Sequence, residues 1–154
     1  VFMLQLVYAD WKTEKATQVV STLLKRYPQT NAIWAASDGM SLGAVQAIKQ
    51  SGQAKDLNIV TGGVDWTPAA IQAIQSREMV VSIGGHFKEG AWVLKLVHEH
   101  FNQLDFAKEQ GVTIKSKMTA LTINNIHEFK LGAGVRPQHW GQRRYSFTWG
   151  LTPY

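Results

Sequence analysis

Apolar and polar residues along the chain follow two alternating rhythms. Val1 to Ala9 is an apolar run of residues that suit a strand. Behind it, Ala16, Val19, Val20, Leu23, Leu24 and Tyr27 recur at spacings of three and four, which marks the buried face of a helix. Asp10 stands where a capping residue belongs, Glu14 falls in the first turn, Lys25 and Arg26 in the last, and Pro28 just beyond. The unit then recurs. Ala32 to Ala36 reads as a strand, Ser37-Asp38-Gly39 as a turn, and the next helix runs to about Gln50 before Gly52. Leu57 to Thr61 reads as a strand followed by a Gly-Gly turn, and Thr67-Pro68 as a cap with proline in the first helical position. Met79 to Ile83 is a further strand, Gly84-Gly85-His86 a turn, and Lys88 to Phe101 a helix. Strands that alternate with helices predict an α/β fold, an open parallel sheet with right-handed crossovers and helices on both faces. The nearly continuous apolar runs suit strands covered on both sides, and Trp34 and Trp92 are assigned to that core.

After Asn102 the pattern fails. Met118 to Asn124 has the character of one more strand, and Asn125 to Tyr154 has no clean period. The chain is therefore divided into residues 1–124, an α/β unit, and 125–154, an irregular extension whose Trp140, Tyr145, Phe147, Trp149 and Tyr154 are expected to wrap onto another surface.

Composition narrows the function. Hydrophobic residues at 45% and charged residues at 18% describe a globular domain. No apolar run reaches the length of a membrane-spanning helix, and no leader pattern is seen at the start. The absence of cysteine excludes thiolate metal sites and cysteine catalysis. The net charge of +5 comes from residues spread along the chain, with one concentration at Arg136, Arg143 and Arg144, so nucleic acid is not expected as a partner. His98 and His100 are two apart on a helix and point to different faces. His127 and His139 have no partner at ligand spacing, so no metal or cofactor is expected. Gly132-Ala133-Gly134 lacks the strand and helix that a dinucleotide site requires.

Ligands of open parallel sheets bind beyond the carboxyl ends of the strands. Those ends carry Asp10-Trp11, Ser37-Asp38, Asp65-Trp66 and Gly85-His86. Carboxylates accept hydrogen bonds from hydroxyls, and flat rings cover the apolar face of a sugar. Asp10 and Asp38 also suit helix caps, and Trp11 and Trp66 also suit packing. Asp65 lies two residues before the cap Thr67, so capping explains it less well. Asp38, Asp65 and His86 lack an oxyanion hole or metal beside them, so no catalytic residue is expected.

These residues carry a resemblance. Ala9-Asp10-Trp11-Lys12 with Ala16 and Leu23-Leu24, the stretch Asn31 to Ala44, and Gly63-Val64-Asp65-Trp66-Thr67-Pro68 resemble the C-terminal lobe of ribose-type periplasmic binding proteins. The resemblance covers about Val1 to Phe101. It implies a type I lobe that closes with a second lobe on a sugar or related solute, without catalysis, for an ABC permease or a membrane sensor kinase in the periplasm. It implies Trp11 as a stacking ring and Asp65 as an acceptor. Ser37 and Gly85 replace a ligand-binding asparagine and glutamine, and His86 stands beside the room this leaves. Trp66 and Asp38 complete the expected set. The resemblance further implies that the N-terminal lobe, and a central strand and helix ahead of Val1, belong to the same protein. The effector domain of lactose-repressor-type regulators shares this fold and is the alternative.

Overall fold

The computed structural model describes residues 2–52, 59–86, 89–104 and 117–128. Helix α1 spans Thr13–Arg26, strand β1 Ala32–Trp34, α2 Asp38–Gln50, β2 Val60–Val64, α3 Pro68–Gln75, β3 Val81–Gly84, α4 Glu89–Phe101 and β4 Thr119–Thr122. The sheet order is β1-β2-β3-β4. The first three strands are parallel, with Trp34 opposite Gly62 and Val64 opposite Ile83. The fourth is antiparallel and sets Thr119 opposite Gly84 and Thr122 opposite Val81. The α/β fold with an open sheet holds, and the late strand makes that sheet mixed.

Packing explains the arrangement of the helices. On α1 the buried residues are Ala16, Val20 and Leu24, a stripe of period four. Val20 and Leu24 meet Ala44, Ala47 and Ile48 of α2, with Ile33 of β1 against them. Helix α2 is buried on a second side as well, where Val45 joins Ile71, Ile74, Met79 and Leu121. Small residues make this central position feasible. A Cβ on Gly43 would stand 2.4 Å from the Thr13 carbonyl oxygen, so only glycine permits the approach of α1 to α2.

Several expectations change. Residues 2–9 do not form a strand; they run outside the sheet and are largely exposed. Strand character requires a hydrogen-bonded neighbour, and among the described residues β1, at one edge of the sheet, pairs only with β2. Helix α1 begins at Thr13 behind Lys12, which offers no side-chain cap, so Asp10 is not its cap. The physical reason is the backbone, since Asp10 and Trp11 both have positive φ and form a turn that delays the helix. Ser37, not Asp38, caps α2. Gly62 and Gly63 lie inside β2 and do not form a turn. Any side chain at Gly62 would collide with the Trp34 ring and Val81, and one at Gly63 with the Asp38 carboxylate. Trp34 is 58% exposed and not core. It alternates with Ile33, which faces α1 and α2, and so points to the opposite side of the sheet. Thr67 caps α3 with Pro68 behind it, as expected. The residues after Glu128, with Trp140 and Trp149, lie outside the described residues, whereas Ile126 joins the core beside Leu121.

Candidate functional site

The parallel strands deliver their C-terminal ends to one rim. β1 leads into Ser37-Asp38, β2 into Asp65-Trp66 and β3 into Gly85-His86. Thr13 at the start of α1 lies against Gly39 at the start of α2, so Trp11 stands at this same end. The two Asp-Trp pairs have the same backbone character. Asp10 and Trp11 have φ of 49° and 59°, and Asp65 and Trp66 have 124° and 60°. Left-handed conformations cost an L-residue roughly 1–2 kcal/mol each. Such strain concentrates where a structure holds side chains toward a ligand.

The rim residues differ in what they leave open. Trp11 is 73% exposed, a free ring. Asp10 pairs with Lys15 at 2.5 Å, and that cation, by hydrogen bond and charge, holds its carboxyl below the usual carboxylate range. Asp65 is half-exposed, and its Oδ1 lies 3.3 Å from His86 Nε2. Among the described residues the other ring nitrogen, Nδ1 of His86, is buried without a hydrogen-bond partner. Trp66 is held more firmly. Its backbone N–H donates to Ser82 Oγ at 3.1 Å, its indole N–H donates to the Ser82 carbonyl at 3.0 Å, and its ring lies against Gly84. Gly85 has φ 111°, a conformation that side-chain-bearing residues rarely adopt, and the Lys117 carbonyl and the Trp66 ring lie beside it.

Two expected residues point elsewhere. Ser37 is buried, with its hydroxyl accepting from the Met40 N–H at 3.3 Å. Asp38 is fully buried, and its oxygens accept from Ser82 Oγ at 2.7 Å, Thr67 N–H at 2.8 Å and Thr67 Oγ1 at 3.1 Å. Burial pushes the Asp38 carboxyl above the usual range. The hydrogen bonds from Ser82 and Thr67 pull it back, and the neighbouring charge of Asp65 adds to the rise. The rim that faces outward is therefore Trp11, Asp65 and His86, with Trp66 as its floor.

Sequence reasoning missed Ser82. It is a buried hydroxyl within an apolar strand, between Val81 and Ile83, and that misplaced polarity was the available signal. Among the described residues no group of histidines and carboxylates is arranged for a metal ion, and no helix is long and apolar enough to cross a membrane.

Residues 3–103 match the profile of the periplasmic binding protein domain. The chain is 33% identical over 110 residues to the ribose import binding protein of Bacillus subtilis, covering 71% of this chain and 34% of that protein. It is 32% identical over 90 residues to the D-allose-binding periplasmic protein of Escherichia coli, covering 58% and 28%. Among solved structures it resembles a periplasmic sugar-binding protein from Pseudomonas fluorescens, with 36% identity and a TM-score of 0.74 over 83% of this chain and 39% of that one. A solute-binding protein from Actinobacillus succinogenes with bound D-allose gives 25% identity and a TM-score of 0.66, over 79% and 41%. The chain thus spans about a third of the length of these curated relatives.

Proposed function

The chain belongs to the periplasmic binding protein domain family, and from that premise we propose that it forms part of one lobe of a periplasmic protein that captures a sugar or sugar-like solute. The observation that carries this reading is the outward rim, where a half-exposed carboxylate, Asp65, stands at a strand end 3.3 Å from the His86 ring, with the exposed Trp11 ring at the same end of the domain. Asp65 accepts hydrogen bonds from solute hydroxyls, the exposed Trp11 ring stacks on the solute, and His86 reaches across from the next strand. Trp66 supports the floor, and Ser37 and Gly85 shape the site through the α2 cap and the space beside Trp66. Binding sites of this kind form between domains. A second lobe of the same protein supplies the opposing wall, and closure about a hinge encloses the solute. No bond in the solute is broken. The loaded protein presents it to an ABC permease or to a membrane sensor kinase.

The organisation of the protein follows the same reading. The uncovered Trp34 and the unpaired edge of β1 support a further strand of the same protein, lying between residues 2–9 and β1. The expected division at residue 124 shifts later, because Ile126 lies in the core of this lobe; the rest of the expected extension lies outside the described residues.

A thermal-shift and calorimetric screen of the full-length protein against D-allose, D-ribose, D-fructose and myo-inositol tests the reading. Saturable binding of at least one, with the solute recovered unchanged, is expected. Stabilisation by none of these and by no other sugar or polyol overturns it.

A further inference from the structure

A rim with two consecutive left-handed residues needs something to hold it, and the holding group is not on the rim. Asp38, the first residue of α2, reaches across β2 through the gap left by Gly63, where a Cβ would come within 2.7 Å of Oδ1. One oxygen, Oδ2, takes both the N–H and the hydroxyl of Thr67, the residue directly after Trp66. The other, Oδ1, takes the hydroxyl of Ser82. That same Ser82 oxygen accepts the Trp66 N–H, and the Ser82 carbonyl accepts its indole N–H. The Asp65 N–H donates to the Ile83 carbonyl on the next strand at 2.8 Å. The strained pair is thus fastened at Thr67 directly and at Trp66 through Ser82, and both fastenings end on one carboxylate.

We infer that Asp38 is the positioning residue of this rim: a buried carboxylate, out of the solute's reach, that fixes where Asp65 and Trp66 stand. The inference rests on the reading of Asp65 as the solute acceptor. Chemistry specifies a carboxylate here. Thr67 N–H, Thr67 Oγ1–H and Ser82 Oγ–H are all donors, and an amide offers only one oxygen to receive them. In Asp38→Asn the oxygen must serve the Thr67 N–H, which cannot turn round. The NH2 group then faces Ser82, whose hydroxyl proton loses its acceptor, so the Trp66 branch loosens first.

The experiment uses the full-length protein and two variants, Asp38→Asn and Ser82→Ala. Hydrogen exchange is followed by NMR at the Trp66 amide and indole N–H, with Leu24 and Ala47 as reporters on the α1–α2 core. D-allose affinity is measured by calorimetry. Exchange at Trp66 is expected to accelerate about tenfold beyond any change at Leu24 and Ala47, and affinity to fall about tenfold, the weight of one buried hydrogen bond. Exchange at Trp66 that is unchanged, or that moves only in step with the core reporters, overturns the inference. If Asp38→Asn does not fold, Ser82→Ala decides through the Thr67 N–H, which should stay protected by its intact bond to Asp38 while Trp66 loosens; loss of protection at Thr67 as well overturns the inference. If the wild type does not bind D-allose, the affinity arm bears only on the choice of sugar, and the exchange arm still decides the role of Asp38.

Discussion

Asp65 and Asp38 are carboxylates one strand-end apart with opposite surroundings, and the contrast sets their roles. Asp65 has an open edge toward solvent. Replacing it with alanine is expected to cost about 1.5–3 kcal/mol of solute binding, the worth of a hydrogen bond to a charged group. That corresponds to a fall in affinity on the order of ten- to a hundredfold, read by calorimetric titration. Trp11→Ala is expected to weaken binding as well while leaving the unfolding midpoint in place, because that ring has little packing to lose. Asp38 makes a different prediction, in pH. Its carboxyl lies above the usual range, mainly through burial. Between the ordinary carboxylate value and that raised value, the folded state holds a proton that the unfolded state has released. This contribution to stability therefore grows as pH falls through the raised value, and declines as pH rises. Urea titrations from neutral pH down to the ordinary carboxylate range should show wild type gaining on Asp38→Asn as pH falls. Asp10, whose carboxyl is held low by Lys15, has the opposite tendency, but wild type and variant share it.

Elements are where the sequence was most readable. Helices α1 to α3 follow from apolar spacing and end signals, and Thr67-Pro68 and Gly52 punctuate the chain where expected. Strand ends were less legible. β2 runs three residues later than its apolar run implied, because its glycines are demanded by the Trp34 ring, Val81 and the Asp38 carboxylate, neighbours distant in sequence. Local spacing cannot show such contacts. Three of the four expected rim pairs lie at strand ends, whereas Asp10-Trp11 follows residues that form no strand; which side chain turns outward was not readable, since Asp38 is held inward by Ser82 and Thr67, which are distant in sequence. The same logic makes Gly43 testable. Gly43→Ala forces a methyl group against the Thr13 carbonyl oxygen and the Ala16 methyl, so α1 must move away from α2. Overpacking of this kind is expected to cost about 1–3 kcal/mol in urea unfolding, with α1 amides losing protection first. A cost below a few tenths of a kcal/mol would mean the two helices slide apart freely.

At the scale of the whole molecule, the described residues leave apolar surface uncovered. Phe2, Leu6 and Tyr8 before α1, Trp34 on β1, and Leu94 and Phe101 on α4 are exposed together with an unpaired strand edge. Surface of this kind binds hydrophobic dyes and promotes association. Residues 1–154 produced alone are expected to bind such a dye and to self-associate in sedimentation experiments, and the proposed two-lobe protein is expected to do neither. Equal dye binding by both would count against the lobe assignment. The antiparallel course of β4 has a further use. Its first residue pairs with the last residue of β3, so the chain comes back into the sheet beside the rim, with the Lys117 carbonyl close to Gly85. Met118 at that point is 40% exposed, and the sequence contains no cysteine. Met118→Cys would therefore be the one cysteine within these 154 residues, an attachment point for a fluorophore next to the rim but on none of its proposed contacts. The return strand makes the domain a ready scaffold for an optical reporter of the proposed solute.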